Sequence, residues 1–158
     1  MAGAFPQKKK LDALKFSPRN DEDHNMITEP STGIVQFTSP WPYHETVERI
    51  KAALLAKKIK LFASIDQASE AAAAGLTLRP TTLLIFGDPA KGTPLMEAYP
   101  LLAIDLPLKA LIWEGTSSEA YVGLTSPDFL QQRHGLPHAP FAEVIRLFDG
   151  LLNAGDKP

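Results

Sequence analysis

Residues 110–124 read ALIWEGTSSEAYVGL, and this stretch decides the fold. Ala110–Trp113 is an apolar run with strand character, Gly115–Ser118 has turn composition, and Ala120–Leu124 reads as the returning arm. A hairpin makes its two strands antiparallel neighbours. Working back along the chain, Thr81–Phe86 (TTLLIF) is β-branched and apolar on both faces, as an inner strand requires. Leu101–Ile104 also has strand character. Ile59–Ile65 (IKLFASI) alternates as a strand that ends at Asp66, and Ile34–Phe37 reads as the first strand of a core starting near Gly33. Helices punctuate the strands. Val47, Ile50, Ala53 and Leu54 share one face of a helix over Glu45–Lys58. Gln67–Ala74 predicts a short helix closed by Gly75, and Asp128–Arg133 another. After Pro140, the positions Phe141, Val144, Ile145, Phe148, Leu151 and Leu152 recur at helical spacing, which predicts an amphipathic helix over 140–153. The order is strand, helix, then mostly strands, then a terminal helix. It reads as one α+β domain, a largely antiparallel sheet with helices packed on one face.

Composition narrows the function classes. The chain has 158 residues, 16 Lys+Arg against 18 Asp+Glu, and no cysteine. That length fits one domain, placed here at residues 30–158, which needs no metal or disulfide staple. Without cysteine there is no disulfide framework, thiolate zinc site, iron–sulfur cluster or thiol nucleophile. A net charge of −2 is not the basic footprint of a nucleic-acid binder. No apolar run approaches the ~18 residues of a membrane span. Residues 1–29 are polar and mixed in charge, with a Lys8–Lys10 cluster but no apolar signal region, and read as an arm outside the core. The expected location is cytoplasmic.

The segment with the most chemical potential runs from Phe86 to Met96 (FGDPAKGTPLM). A strand ends in a glycine turn and a helix follows, for which Thr93 suits the N-cap and Pro94 the first helical position. Free backbone N–H groups at such a junction can hold an anion, so Gly87, Asp88, Gly92 and Thr93 are candidate ligand-binding residues; a plain capped turn is the alternative. Gly87 and Gly92 have P-loop spacing, but a P-loop continues with Lys and Ser/Thr where Thr93 and Pro94 stand, so ATP is excluded. Asp105, between apolar neighbours in IDLPLK, needs a partner if buried: Lys109 or main-chain N–H groups beside Pro107. Asp105 could act as a base with Lys109 as its cation, or both could pin an irregular crossing. Asp66 has the same two readings, helix cap or chemistry. His134 and His138 are four apart, but Gly135 and Pro137 break the helix that would align them on a metal. Trp41, Trp113 and Tyr121 lack interleaved basic residues and read as core or interface aromatics. No cofactor is called for.

A set of motifs then stands out in order: Glu45-Thr46-Val47, Ile65-Asp66, Leu78-Arg79-Pro80-Thr81-Thr82, Phe86-Gly87-Asp88-Pro89, Gly92-Thr93-Pro94-Leu95-Met96 and Asp105-Leu106-Pro107-Leu108-Lys109. The run carrying them, residues 33–136, resembles the family catalogued as domain of unknown function 302. The resemblance implies a TATA-binding-protein-like α+β fold and a homodimer; it implies no particular reaction. Two positions depart from the family's pattern. Asp88 stands where Asn is common, and Gln67 where a His often follows the strand-end Asp. The first adds negative charge to the glycine turn and the second removes a proton carrier beside Asp66, which favours binding over catalysis.

Three expectations result. The first is a domain that binds a small anionic or carboxylate-bearing ligand, with Asp66, the Gly87–Thr93 turn and the Asp105–Lys109 crossing converging on one pocket. It requires Lys109 and Thr93 to share a face of the sheet. The second is an enzyme with Asp105 or Asp66 as general base and Lys109 as electrostatic partner. The third is a structural or dimerisation module. The 14 prolines, about 9% against a usual ~5%, cluster in part between Pro80 and Pro107, in the same segment as most of the candidate residues.

Overall fold

In the computed structural model, which describes residues 26–29 and 32–154, six strands form one sheet. They are β1 (Met26–Glu29), β2 (Ile34–Thr38), β3 (Lys60–Asp66), β4 (Thr81–Gly87), β5 (Leu108–Glu114) and β6 (Ala120–Thr125). The spatial order is β1-β2-β6-β5-β4-β3, with every neighbouring pair antiparallel. The hairpin at 110–124 closes as its composition requires, with Ala110 opposite Leu124 and Trp113 opposite Tyr121. Five helices accompany the sheet: α1 (Tyr43–Ala56), α2 (Gln67–Ala73), α3 (Pro89–Ala98), α4 (Pro127–His134) and α5 (Ala142–Asn153).

Strand alternation sorts the side chains into two faces. Val35, Phe37, Leu84, Phe86, Ala110, Ile112, Val122 and Leu124 are buried on one face, under Val47, Ile50 and Leu54 of α1 and Val144, Phe148 and Leu152 of α5. Phe86 and Phe148 stack across this layer with centroids 6.0 Å apart. Each such large side chain contributes about 1.5–3 kcal/mol on burial. Polar groups in the layer are matched: Tyr43 Oη and Thr82 Oγ1 lie 2.6 Å apart. At the start of α1, the fully buried Thr46 hydroxyl donates to the Trp41 or Pro42 carbonyl, both at 3.0 Å, so the 2.6 Å bond to Ser39 is donated by Ser39.

Three local expectations are corrected. The stretch Leu101–Ile104 is no strand; Pro100–Ile104 makes a 3₁₀ turn. Only Leu102 points inward, while Leu101 and Ile104 are exposed, so the segment lacks the alternating burial a strand provides. The helix after β4 starts at Pro89, not at Pro94, because Asp88-Pro89 is itself an N-cap and first-turn pair: Asp88 Oδ1 accepts from the Ala90 N–H at 3.0 Å. Lastly, Met26–Glu29, assigned by sequence to the arm of residues 1–29, pairs along β2, and Met26 packs against the core. Residues 1–25, including Lys8–Lys10 and His24, lie outside the described residues.

Candidate functional site

A cavity of about 740 Å³ opens where the C-terminal ends of α1 and β4 meet α3 and α5. Its floor is apolar: Phe86, Leu108 and Val144 belong to the edge of the core, and Phe62, Leu106, Phe141 and Leu147 continue the wall. The Gly87–Thr93 turn forms one side, so Gly87, Asp88, Gly92 and Thr93 all line it, as does the Leu106–Leu108 crossing with its cis Leu106–Pro107 peptide. Neither glycine is demanded by backbone strain. A Cβ on Gly87 would meet Phe62 at 3.6 Å and one on Gly92 would meet Leu106 at 3.8 Å, both ordinary contacts. Their small size leaves the volume open.

The junction itself does not offer free main-chain donors to an anion, contrary to the sequence expectation. The Ala90 N–H is taken by the Asp88 carboxylate, and the N–H groups of Lys91 and Gly92 donate to the Asp88 carbonyl. Positive charge reaches the cavity from side chains instead. Lys57 at the end of α1, Lys91 on α3 and Arg146 on α5 all border it, against the carboxylates of Asp88 and Glu143. Lys91 Nζ and Glu143 Oε1 form an ion pair at 2.8 Å between α3 and α5. The hydrogen bond from Lys91 holds the Glu143 carboxyl below its ordinary value, and the same bond raises the Lys91 ammonium. Lys57 has no carboxylate within ion-pair distance among the described residues. The rim therefore carries a spare cation. No sequence motif marks Lys57 or Arg146; they are unpatterned polar positions on two helices distant in sequence.

The remaining candidates lie elsewhere. Asp66 caps α2, accepting from the Ser69 N–H at 3.0 Å and the Ser69 hydroxyl at 2.8 Å, and these bonds lower its pKa. It stands opposite Thr82, whereas Lys60 stands opposite Gly87, so β4 separates Asp66 from the cavity by about 17 Å. Asp105 is partnered, though not by Lys109. His134 Nε2 donates to Asp105 Oδ2 at 2.6 Å, and Arg133 Nε reaches the same oxygen at 3.2 Å. Gly135, in the left-handed conformation at φ +62°, ends α4 and leaves His134 as its last helical residue against the crossing. Lys109 Nζ donates to the main-chain carbonyls of Pro107 at 3.1 Å and Asp105 at 3.5 Å, and its position on β5 alternates with the buried Ala110. It thus belongs to the sheet face opposite the cavity. The Asp–Lys pair that acid–base chemistry would use is not formed, and the three segments do not share one pocket.

Among the described residues, no group of three His, Asp or Glu could hold a metal ion, and no helix is long and apolar enough to cross a membrane. Trp41 carries the Arg49 guanidinium over its ring at 4.3 Å, and Trp113 stacks on Tyr121.

Comparison with known proteins agrees with this architecture. A crystal structure of an uncharacterized conserved DUF302 protein from Bacillus stearothermophilus superposes with a TM-score of 0.67 at 16% identity, covering 78% of this chain and 98% of that one. Fluoride-specific ion channel FluC 1 of Brucella suis biovar 1 (strain 1330) is 38% identical over 105 residues, and its namesake in Brucella abortus biovar 1 (strain 9-941) matches equally. These matches take 66% of this chain, which spans about two fifths of the length of those relatives. The family described as Domain of unknown function DUF302 matches residues 35–155. With that span covered, and the fold shared with a solved member, the chain belongs to the DUF302 family.

Proposed function

We propose that this domain binds a small amphipathic molecule with an anionic head, such as a medium-chain carboxylate, in the cavity between α1, α3 and α5. The single observation that carries the reading is the cavity itself: about 740 Å³, apolar at its floor and bordered by Lys57, Lys91 and Arg146. That volume lies within the ~300–1,000 Å³ usual for ligand sites, which are apolar with a few orienting polar groups. The tail lies on Phe86, Phe62 and Leu147, and the head meets Lys57, whose charge no carboxylate among the described residues neutralises.

The test is a homologous series of alkanoates measured by calorimetry. Each added methylene buries about 0.8 kcal/mol of apolar transfer energy, so affinity should rise about fourfold per carbon until the cavity is full. Lys57→Glu should weaken every member, and Ala53→Trp, which projects an indole into the cavity, should lower the chain length at which affinity stops rising. A series with no chain-length dependence would sink the proposal.

A second reading rests on the Brucella relatives, which are named as fluoride channels and extend well beyond the matched region. On this reading the domain serves a fluoride-handling membrane protein. A strain lacking this chain should then tolerate less fluoride; unchanged tolerance removes the idea.

A further inference from the structure

Between α3 and β5 the chain passes through seven residues without a charge, Ala98-Tyr99-Pro100-Leu101-Leu102-Ala103-Ile104. The 3₁₀ turn at Pro100–Ile104 sorts them. Leu102 is fully buried and anchors the turn, whereas Leu101 and Ile104 are 81% and 73% exposed. Side chains three apart in a 3₁₀ helix eclipse one another, so these two stand together on one edge, with exposed Pro100 and Ala103 beside them. A lone apolar side chain on a surface is ordinary. Two large ones, side by side on an anchored and uncharged turn, form a tip.

The main chain of this tip satisfies itself. Pro100 has no N–H, the Leu102 N–H donates to the Tyr99 carbonyl at 2.9 Å, and the Asp105 and Leu106 N–H groups donate to the Leu102 carbonyl at 3.0 and 3.2 Å. Polar groups paired within the segment are what an apolar medium demands. The carboxylate that follows, Asp105, is held by His134 and Arg133 and so is turned to the protein. Both flanks of the tip line the cavity. Gly92, Thr93 and Met96 lead into it along α3, and Leu106, Pro107 and Leu108 lead out of it. The helix that carries the tip is itself a cavity wall, and Gly92 is its only buried residue.

We infer that this tip docks on a lipid bilayer: Leu101 and Ile104 enter its apolar boundary, and the bilayer delivers the amphipathic ligand to the cavity between the tip's two flanks. The delivery step rests on the binding reading above; the docking step does not. The contact is peripheral, since no described helix is long and apolar enough to cross a membrane. Two features select lipid over a protein partner. The first is size. The tip presents on the order of a few hundred Å², against about 800 Å² per partner in a specific protein contact. The second is composition. Its exposed positions carry only Ala, Pro, Leu and Ile, without the Trp, Tyr or Arg anchors on which protein contacts depend. No Lys or Arg stands in the tip, so apolar burial rather than headgroup charge supplies the attraction, and neutral lipid suffices.

Flotation of the full chain with vesicles decides it. Phosphatidylcholine vesicles free of alkanoate should lift the wild type, with no higher recovery when phosphatidylglycerol is added and no loss in about 0.5 M salt. Leu101→Ser and Ile104→Ser should each weaken the partition about tenfold or more. The double variant should stay behind, with an unchanged far-UV spectrum because both side chains are exposed. Leu76→Ser removes a leucine that is 67% exposed beyond α2 and should float like the wild type. Calorimetry with dodecanoate in vesicle-free buffer reads the cavity alone: the serine variants should bind as the wild type does, and a failure there leaves the flotation result standing. Transfer of dodecanoate from vesicles to the double variant should slow about tenfold or more, in step with the lost docking. A wild type that ignores both kinds of vesicle would overturn the proposal and leave the tip to a protein partner. Flotation that needs phosphatidylglycerol, serine variants that float unimpaired, or transfer that keeps its rate without the tip would overturn it as well.

Discussion

The two faces of this sheet are built from neighbouring residues of the same strands, yet they solve different problems. On the covered face, Leu84, Phe86, Ala110, Ile112 and Val122 are fully buried under two amphipathic helices. On the other, Leu83, Ile85, Leu111 and Trp113 have similar apolar character but remain partly exposed. Apolar content alone therefore does not locate a core. What separates the faces is a helix with a matching row: α1 and α5 together span one face, and among the described residues no helix of comparable amphipathicity is left for the other.

The sharpest way to break this comparison is to truncate adjacent residues of β5. Ile112→Ala removes a side chain with no solvent exposure and should cost about 2–5 kcal/mol in urea unfolding, because the packed layer closes poorly around the void. Leu111→Ala removes a neighbour of similar size from the open face and should cost less, about 1–2 kcal/mol in the isolated chain, because its site is already partly open to water. Its cost should grow with protein concentration if a second copy covers it, since association adds to apparent stability. Equal costs at high dilution would show that both faces are core.

A smaller effect is expected where the faces meet, at the crossing into β5. The Asp105 side chain is 23% exposed and His134 only 7%, and they are joined at 2.6 Å. His134→Ala leaves a largely enclosed carboxylate with Arg133 as its remaining partner and should lower stability by about 1–3 kcal/mol, at unchanged urea m-value. His134→Gln, which keeps a donor, should recover part of that loss. If the alanine variant is as stable as wild type, the clamp holds nothing.

These residues also show what a sequence exposes and what it hides. The hairpin at 110–124, the inner strand at 81–86 and the helix after Pro140 were legible because each carries its own periodicity or turn chemistry, and local order here agrees with the global fold. The misreading of Leu101–Ile104 has a simple cause: four apolar residues in a row carry no period, and burial of Leu102 alone distinguishes a 3₁₀ turn from a strand. Asp88 and Thr93 compete as helix caps, and each is followed by proline, so composition could not choose between them. The need of Asp105 for a partner was readable from its apolar neighbours, but the partner was not. His134 lies 29 residues away, and only the placement of α4 against the crossing brings it there. The cavity was half legible for the same reason. Gly87, Asp88, Gly92 and Thr93 form one local segment, while Lys57 and Arg146 arrive from helices 89 positions apart.

The smallest expected effect concerns the one ion pair at the cavity mouth, and its sign differs between stability and binding. Lys91 and Glu143 are 56% and 45% exposed, so their attraction is largely screened and contributes little to folding. A carboxyl lowered in the folded state contributes stability that is present above its unfolded value, about 4.3 for glutamate, and is lost as pH falls through the lower folded value. A raised ammonium contributes below about 10.4 and loses that contribution as pH rises through its higher folded value. Glu143→Gln should therefore melt slightly below wild type between about pH 5 and pH 10, and the difference should vanish in acid, where wild-type Glu143 is itself protonated. Alkanoate binding should move the other way. With Glu143 neutral, Lys91 and the nearby Arg146 no longer face a competing carboxylate, and affinity at neutral pH should rise about two- to fivefold, the scale of one exposed ion pair. Lys91→Met has the same small stability cost but should weaken binding, because it removes the cation that Glu143→Gln releases. If both variants weaken binding equally, the pair acts only as a strut between α3 and α5, and the anionic head must be held by Lys57 alone.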